Sequence, residues 1–151
     1  MGAFIERGGC MGKKEVSIKI KTIQSTDGQR EIVGGEYPGT AEANGDQIIV
    51  RYSSSDDNGE CEYEIIMSPR GCAVATSGAI ERLIKYEMGK RNDCSMRIFA
   101  GIIPMECSTN EYVYEDKWEK IGRARARINY DLYSGKELLS HQVMNIIVKA
   151  R

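Results

Sequence analysis

Polar and apolar residues alternate with a period of two along most of this chain of 151 residues. The first clear segment, 15–22, alternates aliphatic side chains with Ser17, Lys19 and Lys21. Such alternation is typical of a strand with one face buried and the other in water. No segment of useful length carries an apolar stripe at helical spacing. The pattern therefore predicts a protein built almost wholly from β-strands.

Turn residues divide the alternating pattern into separate strands. Asp27-Gly28 and Asn44-Gly45 suit tight hairpins, because such turns need residues that accept a positive φ angle. Segment 79–88 holds good helix formers, but its alternation and its neighbours favour a strand. The predicted strands cover residues 15–22, 31–43, 47–53, 60–67, 72–76, 79–88, 94–99, 102–113, 123–132 and 138–150.

Two unusual residue pairs interrupt the second predicted strand. Gly34-Gly35 and Pro38-Gly39 both fall inside 31–43. Glycine in a strand often marks a bulge, and proline cannot donate a hydrogen bond to a neighbouring strand. We therefore predict a bulge or sharp bend here, in an irregular or edge position.

Short connections join all of these strands, so each neighbouring pair is predicted to form an antiparallel hairpin. A long meander must hide its two edge strands, and closure into a barrel does so directly. The strand near Val16 would then lie beside the strand near Ile146. The predicted fold is all-β: a closed or nearly closed antiparallel meander barrel of about eight to ten strands.

The overall composition is that of a single globular domain. Residues 1–12 are predicted to form a disordered N-terminal tail, and residues 13–151 to form the barrel domain. The formal net charge is −1, which gives no reason to expect a nucleic-acid partner. No apolar run reaches the length of about 18 residues that a membrane helix needs, so no membrane partner is expected.

The cysteines and the histidine content bear on the compartment and on metal binding. Five cysteines without a C-x-x-C pair favour a reduced, cytoplasmic protein over a disulfide framework. His141 is the one histidine, so neither a metal site nor a cofactor is expected. The cysteines are Cys10, Cys61, Cys72, Cys94 and Cys107.

Catalytic chemistry has little support in the residue pattern. His141 alternates with the apolar positions of its strand, which places it on the outer face, away from a pocket. No catalytic residue is therefore assigned, and a non-enzymatic protein is predicted. Arg123, Arg125 and Arg127 share one strand face, and two readings stay open for them: a solvated surface, or binding of phosphate or an RNA backbone.

The barrel interior holds the candidate site. A charged Arg82 inside a barrel is costly unless it is paired, so it could anchor a ligand carboxylate. The alternative is that Arg82 extends to a barrel mouth and that the tyrosines fill the core. The candidate ligand-binding residues, placed inward by alternation, are Arg82, Tyr52, Tyr63, Tyr86, Tyr130 and Gln142.

Two functions follow from these two readings. The first is non-enzymatic binding of a small apolar or amphipathic ligand inside the barrel. The second is a structural or protein-interaction module with a filled barrel. Its partner would be another protein, and a homodimer is one form of this hypothesis.

Several short motifs resemble one known family, and they span residues 13–150. Val16–Ile20 and Gly39-Thr40 fall where that family has its first strand and the glycine that follows it. The chain thus resembles the YwiB-like family of uncharacterised bacterial proteins. The resemblance implies a calycin-like barrel, related in shape to lipocalins, with no established activity and no site residues to transfer. The other motifs are Gly78-Ala79-Ile80, Tyr86-Glu87-Met88-Gly89-Lys90, Gly101-Ile102-Ile103-Pro104-Met105 and Asn129-Tyr130-Asp131-Leu132.

Two positions depart from the family pattern. The segment 98–101 reads Ile-Phe-Ala-Gly where the family has Thr-Pro-Tyr-Gly, and Thr76 stands where the family tends to have arginine. A ligand that used those residues would be lost or altered in this chain. Gly101 and Pro104 keep their spacing, so the implied fold is unaffected.

Overall fold

The computed structural model describes residues 12–56 and 59–151, with the exception of the side chain at position 56. The predicted N-terminal tail, 1–12, lies outside these residues except for Gly12. The described chain is a sheet with one short helix, α1 (Trp118–Ile121). The strands are β1 (Lys14–Thr26), β2 (Gln29–Asn44), β3 (Gln47–Asp56), β4 (Gly59–Ser68), β5 (Gly71–Gly78), β6 (Glu81–Tyr86), β7 (Arg91–Asp93), β8 (Met96–Ile98), β9 (Gly101–Ile103), β10 (Glu106–Lys117), β11 (Arg123–Ser134) and β12 (Glu137–Ala150).

All of these strands belong to one antiparallel sheet. Its order is β7-β10-β11-β12-β1-β2-β3-β4-β5-β6-β8-β9. The nine strands from β10 through β12 and β1 to β6 follow chain order around the sheet, which confirms the predicted meander. The three other strands have only three residues each. Ten strands were predicted and twelve are described, because β7 was not predicted and the predicted strand 102–113 is divided into β9 and β10.

The sheet curls until β6 approaches β10, and backbone hydrogen bonds bridge the gap. The Gly89 amide donates to the Thr109 carbonyl over 2.9 Å, and the Thr109 amide donates to the Lys90 carbonyl over 3.0 Å. The Cys94 amide donates to the Met105 carbonyl over 2.9 Å. The predicted all-β, nearly closed barrel is thus confirmed.

The pairing of the first strand with the last is confirmed as well. Strand β1 runs antiparallel to β12, with Val16 opposite Ala150 and Ile20 opposite Ile146. Alternate residues of each strand point into the barrel, and they form one continuous hydrophobic core. Its fully buried large side chains are Val16, Ile18, Ile48, Val50, Ile65, Met67, Ile128, Ile146 and Val148.

The bulge predicted in β2 is wrong. Register between β1 and β2 is unbroken from the hairpin turn to the pair of Lys14 with Ala41. The glycines serve close approach instead, since a Cβ atom on Gly34 would lie 2.2 Å from the Ile20 carbonyl oxygen. The edge position predicted for the segment around Pro38 is confirmed in part. Strand β3 pairs with β2 only from Gly39 onward, so Pro38 lies where that pairing has stopped and no donor is needed.

Candidate ligand-binding site

The candidate residues divide into two groups in the structure. The first group is a ladder of stacked tyrosines on the inner face of β2, β3 and β4. The rings of Tyr52 and Tyr63 lie 4.7 Å apart at 8°, and the rings of Tyr37 and Tyr52 lie 4.8 Å apart at 19°. Tyr52 and Tyr63 are directly opposite in the β3–β4 register, which brings their rings together.

Gly39 makes this ladder possible. It is the partner of Tyr52 in β2, and it has no side chain to separate the Tyr52 ring from Tyr37. Tyr37 lies on the part of β2 that has left β3, so the ladder crosses the point where the two strands diverge. Tyr52 and Tyr63 also line a surface cavity of about 500 Å³. Burial of the ladder raises the pKa of Tyr52, and its two tyrosine neighbours add to the shift.

The second group fills the barrel interior. Tyr86, Tyr130 and Gln142 are all buried, and the Tyr86 and Tyr130 rings lie 4.8 Å apart. The Tyr130 hydroxyl donates to Gln142 Oε1 over 2.6 Å, and Gln142 Nε2 donates to Ser140 Oγ over 3.0 Å. Burial raises the pKa of Tyr130 to about 12, so its hydroxyl remains a neutral donor at physiological pH. These three residues satisfy one another and pack as core.

Arg82 lies at the border of this group and differs from its members in being charged and only half-buried. Its side chain is half-buried, and its Nε donates to the Cys94 carbonyl over 3.1 Å. Its Nη2 lies 3.7 Å from both Cys94 Sγ and Met105 Sδ. Within the described residues, no carboxylate lies within 4.0 Å of its guanidinium. In the described part of the chain, the acceptors that hold Arg82 at the barrel wall are therefore neutral.

A groove outside the gap between β6 and the β7–β8 segment reaches Arg82. Its volume is about 600 Å³, within the range of small-ligand sites. Two exposed apolar side chains and several polar ones share its walls. The lining consists of Glu81, Arg82, Leu83, Lys85, Asn92, Asp93, Ser95, Arg97 and Ile102.

Sequence reasoning missed residues that the structure brings to these two places. Tyr37 was not among the candidates, and the unbroken register of β1 with β2 gives it an inward position opposite Ile18. Cys94 and Met105 meet Arg82 across the gap between β6 and β10, and no local pattern reveals a contact across that distance. Alternation along β2 could have identified Tyr37, because it lies two residues from Gly39 and so shares its face of the strand.

His141 lies on the outer face, as predicted, in a polar row that crosses several strands. Its Nδ1 is 2.6 Å from Asp131 Oδ1, and its side chain is 41% exposed. Ser25 is the register partner of His141 on β1. No hydrogen bond joins Ser25 to His141 in the part of the chain that the structure describes, so the serine, histidine and aspartate are aligned but not connected.

Comparisons with known proteins agree with this architecture. A family model described as "Domain of unknown function (DUF1934)" matches residues 18–146. The chain belongs to this family. No curated protein matches it. The crystal structure of the ywiB protein from Bacillus subtilis superposes with a TM-score of 0.82 at 17% identity, covering 92% of this chain and 93% of that one.

These findings confirm the resemblance to the YwiB-like family and the all-β, barrel-like fold. At 17% identity the likeness to the Bacillus subtilis structure concerns the fold alone. The family description records no function for the DUF1934 domain. Among the described residues, no helix has the length and hydrophobicity needed to cross a bilayer.

Proposed function

We propose that this DUF1934 domain binds a small amphipathic molecule with an anionic head group, without catalysing a reaction on it. The observation that carries the proposal is the Arg82 guanidinium, which is half-buried in the barrel wall without a carboxylate partner among the described residues. A charge in such a place is costly, and a ligand anion that pairs with it offsets the cost.

The surroundings of Arg82 suit the two ends of such a ligand. Asn92 and Ser95 line the groove with polar side chains, and Leu83 and Ile102 line it with apolar surface. Arginine binds a carboxylate through two parallel hydrogen bonds, which also fixes the orientation of the ligand. The interior residues Tyr86, Tyr130 and Gln142 then support the wall behind Arg82 rather than contact the ligand. The tyrosine ladder at Tyr52 and Tyr63 lines a different cavity.

Decanoate tests this proposal. Calorimetric titration of the protein with decanoate is expected to show saturable binding, and Arg82→Met is expected to raise the Kd about tenfold or more, since hydrogen bonds to charged groups contribute about 1.5–3 kcal/mol. Decanol lacks the carboxylate, so its binding is expected to be equal in the two proteins. Arg82→Lys keeps the charge but not the paired donors, so its Kd for decanoate is expected to lie between those of the parent chain and Arg82→Met.

Arg97→Met is the matched control. Arg97 lines the same groove and has the same charge, but its Nε lies 3.8 Å from a Glu81 oxygen, so it already has a partner. This variant is expected to bind decanoate nearly as the parent chain does. Equal losses for Arg82→Met and Arg97→Met, or no binding to the parent chain, would contradict the proposal.

A second candidate function is self-association through the end of the sheet at β9. Among the described strands, β9 pairs with β8 and has no neighbour on its other side. Phe99 in the preceding turn is fully exposed, and Ile102 and Ile103 are 60% and 40% exposed. An unpaired, apolar edge strand is a template for pairing with another chain. We propose a second copy as that chain, because two such edges can pair antiparallel about a twofold axis.

Light scattering coupled to size-exclusion chromatography measures the oligomeric state, and so tests self-association independently of ligand binding at Arg82. If β9 is an interface, the parent chain is expected to run as a dimer and Ile102→Glu as a monomer. Val113→Glu is the control, since Val113 is 52% exposed on β10, away from that edge. A monomeric parent chain at high micromolar concentration rules the interface out.

The thiols support a reducing compartment, and we propose the cytoplasm. Cys61, Cys72, Cys94 and Cys107 are buried and unpaired in the described chain. Burial raises the pKa of Cys72 and of Cys107 to about 12 each, so neither forms a reactive thiolate at neutral pH.

A further inference from the structure

A patch of cations covers the outer face of β11, β12 and β1. The strand registers place Arg123 opposite Lys149, Arg125 opposite Ile147, and Ile147 opposite Lys19. Successive residues on one face of a strand are separated by about 7 Å and neighbouring strands by about 5 Å, so these side chains form one continuous surface. The cations of this patch are Lys19, Lys21, Arg123, Arg125, Arg127 and Lys149.

Among the described residues, carboxylates neutralise one side of this patch. Arg125 Nε lies 3.3 Å from a Glu115 oxygen, and Arg127 Nη1 lies 3.4 Å from a Glu111 oxygen, so the adjoining strand β10 provides their partners. The four other cations have no carboxylate within 4.0 Å among residues 12–56 and 59–151. They are Lys19, Lys21, Arg123 and Lys149.

Arg123 is the centre of the unneutralised side. It faces Lys149 directly across the β11–β12 register, and like charges in that position repel. Its Nε is buried and has no hydrogen-bond partner among the residues that the structure describes. A buried donor without a partner costs about 1–3 kcal/mol, so this position gains from an acceptor that the described chain does not provide.

A cavity of about 250 Å³ opens at this place. Four cations line it, together with one carboxylate, that of Glu36. The Ser17 hydroxyl donates to Glu36 Oε2 over 2.7 Å, which holds this carboxylate on the β2 side of the cavity. The lining consists of Ser17, Lys19, Glu36, Arg123, Arg125, Ile147 and Lys149.

We propose that this cavity binds a small molecule with two or more linked phosphate groups. Arginine and lysine side chains are the usual ligands of phosphate oxygens, and Arg123 lines this cavity without a carboxylate partner among the described residues. Several clustered cations favour several linked charges over one. The site lies on the outside of the barrel, so it is separate from the Arg82 groove.

The limits of the patch favour a compact ligand over an extended RNA strand. One register step beyond Arg127 and Lys21, the outer face becomes neutral or apolar at Asn129, Val143 and Ile23. A polynucleotide contact would need basic side chains to continue along a track. The cations here instead surround one cavity.

Inorganic pyrophosphate and tripolyphosphate are the probes for this site. Calorimetric titration of the full chain at low ionic strength is expected to show one saturable site, tighter for tripolyphosphate than for pyrophosphate and weakest for orthophosphate. Arg123→Met and Lys149→Met are each expected to raise the Kd for tripolyphosphate tenfold or more. Glu36→Gln is expected to lower it, because the variant removes the negative charge from the lining.

Lys136→Met is the matched control for net charge. Lys136 is exposed in the turn between β11 and β12, at the other end of the same hairpin, so its loss is expected to change the Kd less than twofold. An equal loss for Lys136→Met and Arg123→Met would show that only net charge matters and would overturn the site.

Two further outcomes decide the ligand class. If orthophosphate binds as tightly as tripolyphosphate, the requirement for linked phosphates is wrong. If a single-stranded oligonucleotide binds more tightly than tripolyphosphate and competes with it, the face is a nucleic-acid surface and the small-molecule proposal fails. Adenosine triphosphate as a parallel probe shows whether a base adds to the affinity of the phosphate chain.

Discussion

Ile146→Ala is expected to lower the free energy of unfolding by about 2–5 kcal/mol, since it removes a fully buried aliphatic side chain and leaves a cavity. Ile146 is 0% exposed, at the centre of β12, and its strand is paired on both sides. In a domain of this size each 1 kcal/mol lowers the Tm by about 2–4 °C. Urea unfolding followed by circular dichroism measures the change.

Ile147→Ala is the control for this prediction. Ile147 is the next residue of the same strand, and its side chain points outward beside the basic patch. The same atoms are removed, but the loss is expected to stay below about 1 kcal/mol because the outer face refills with water. Comparable losses at the two positions would mean that the strand does not have the inward and outward faces described here.

Gly39→Ala is expected to destabilise the domain by about 3 kcal/mol, at the upper end of the range for overpacked sites. A Cβ atom on Gly39 would lie 2.3 Å from the Arg51 carbonyl oxygen and 2.7 Å from Ile18 Cδ1. The carbonyl oxygen belongs to the paired strand β3 and cannot move without breaking the sheet. The tyrosine ladder is expected to be disturbed too, which the near-ultraviolet circular dichroism of Tyr37 and Tyr52 reports.

Gly35→Ala is the matched variant on the same strand and the same face. Its Cβ atom would meet the Tyr37 hydroxyl at 2.8 Å, and that group is the end of a flexible side chain which can move aside. A loss below about 1 kcal/mol is expected from urea unfolding. If Gly39→Ala proves as mild as Gly35→Ala, then β2 and β3 are less closely apposed at Gly39 than the structure shows.

Alternation was enough to predict most of the sheet. The strand at 79–88 illustrates this, since its residues favour a helix by propensity, yet β6 (Glu81–Tyr86) forms with Ile84 and Tyr86 inward. A period of two fixes which residues share a face, and burial of that face outweighs the weak preference of single residues for a helix. The pairing of β1 with β12 followed from a separate argument, namely that a long meander hides its edge strands by closing into a barrel.

The candidate site was only partly predictable, because alternation assigns a residue to a face of the sheet and to nothing more. Alternation placed Tyr52, Tyr63 and Arg82 on the inner face, but it carries no information about which inner residues meet across the barrel. The structure separates the Tyr52–Tyr63 ladder from Arg82 and fills the interior with Tyr86 and Tyr130.

The sequence by itself determined the fold class, the order of the strands and the face on which each side chain lies, because these follow from local periodicity and short turns. Only the tertiary structure decided three features of the described chain: the Arg82 guanidinium has no carboxylate within 4.0 Å, Gly39 closely approaches β3, and the buried Arg123 Nε has no hydrogen-bond partner. Those features depend on the spacing and curvature of the strands in the closed barrel, which local periodicity does not specify and which packing of the whole barrel sets.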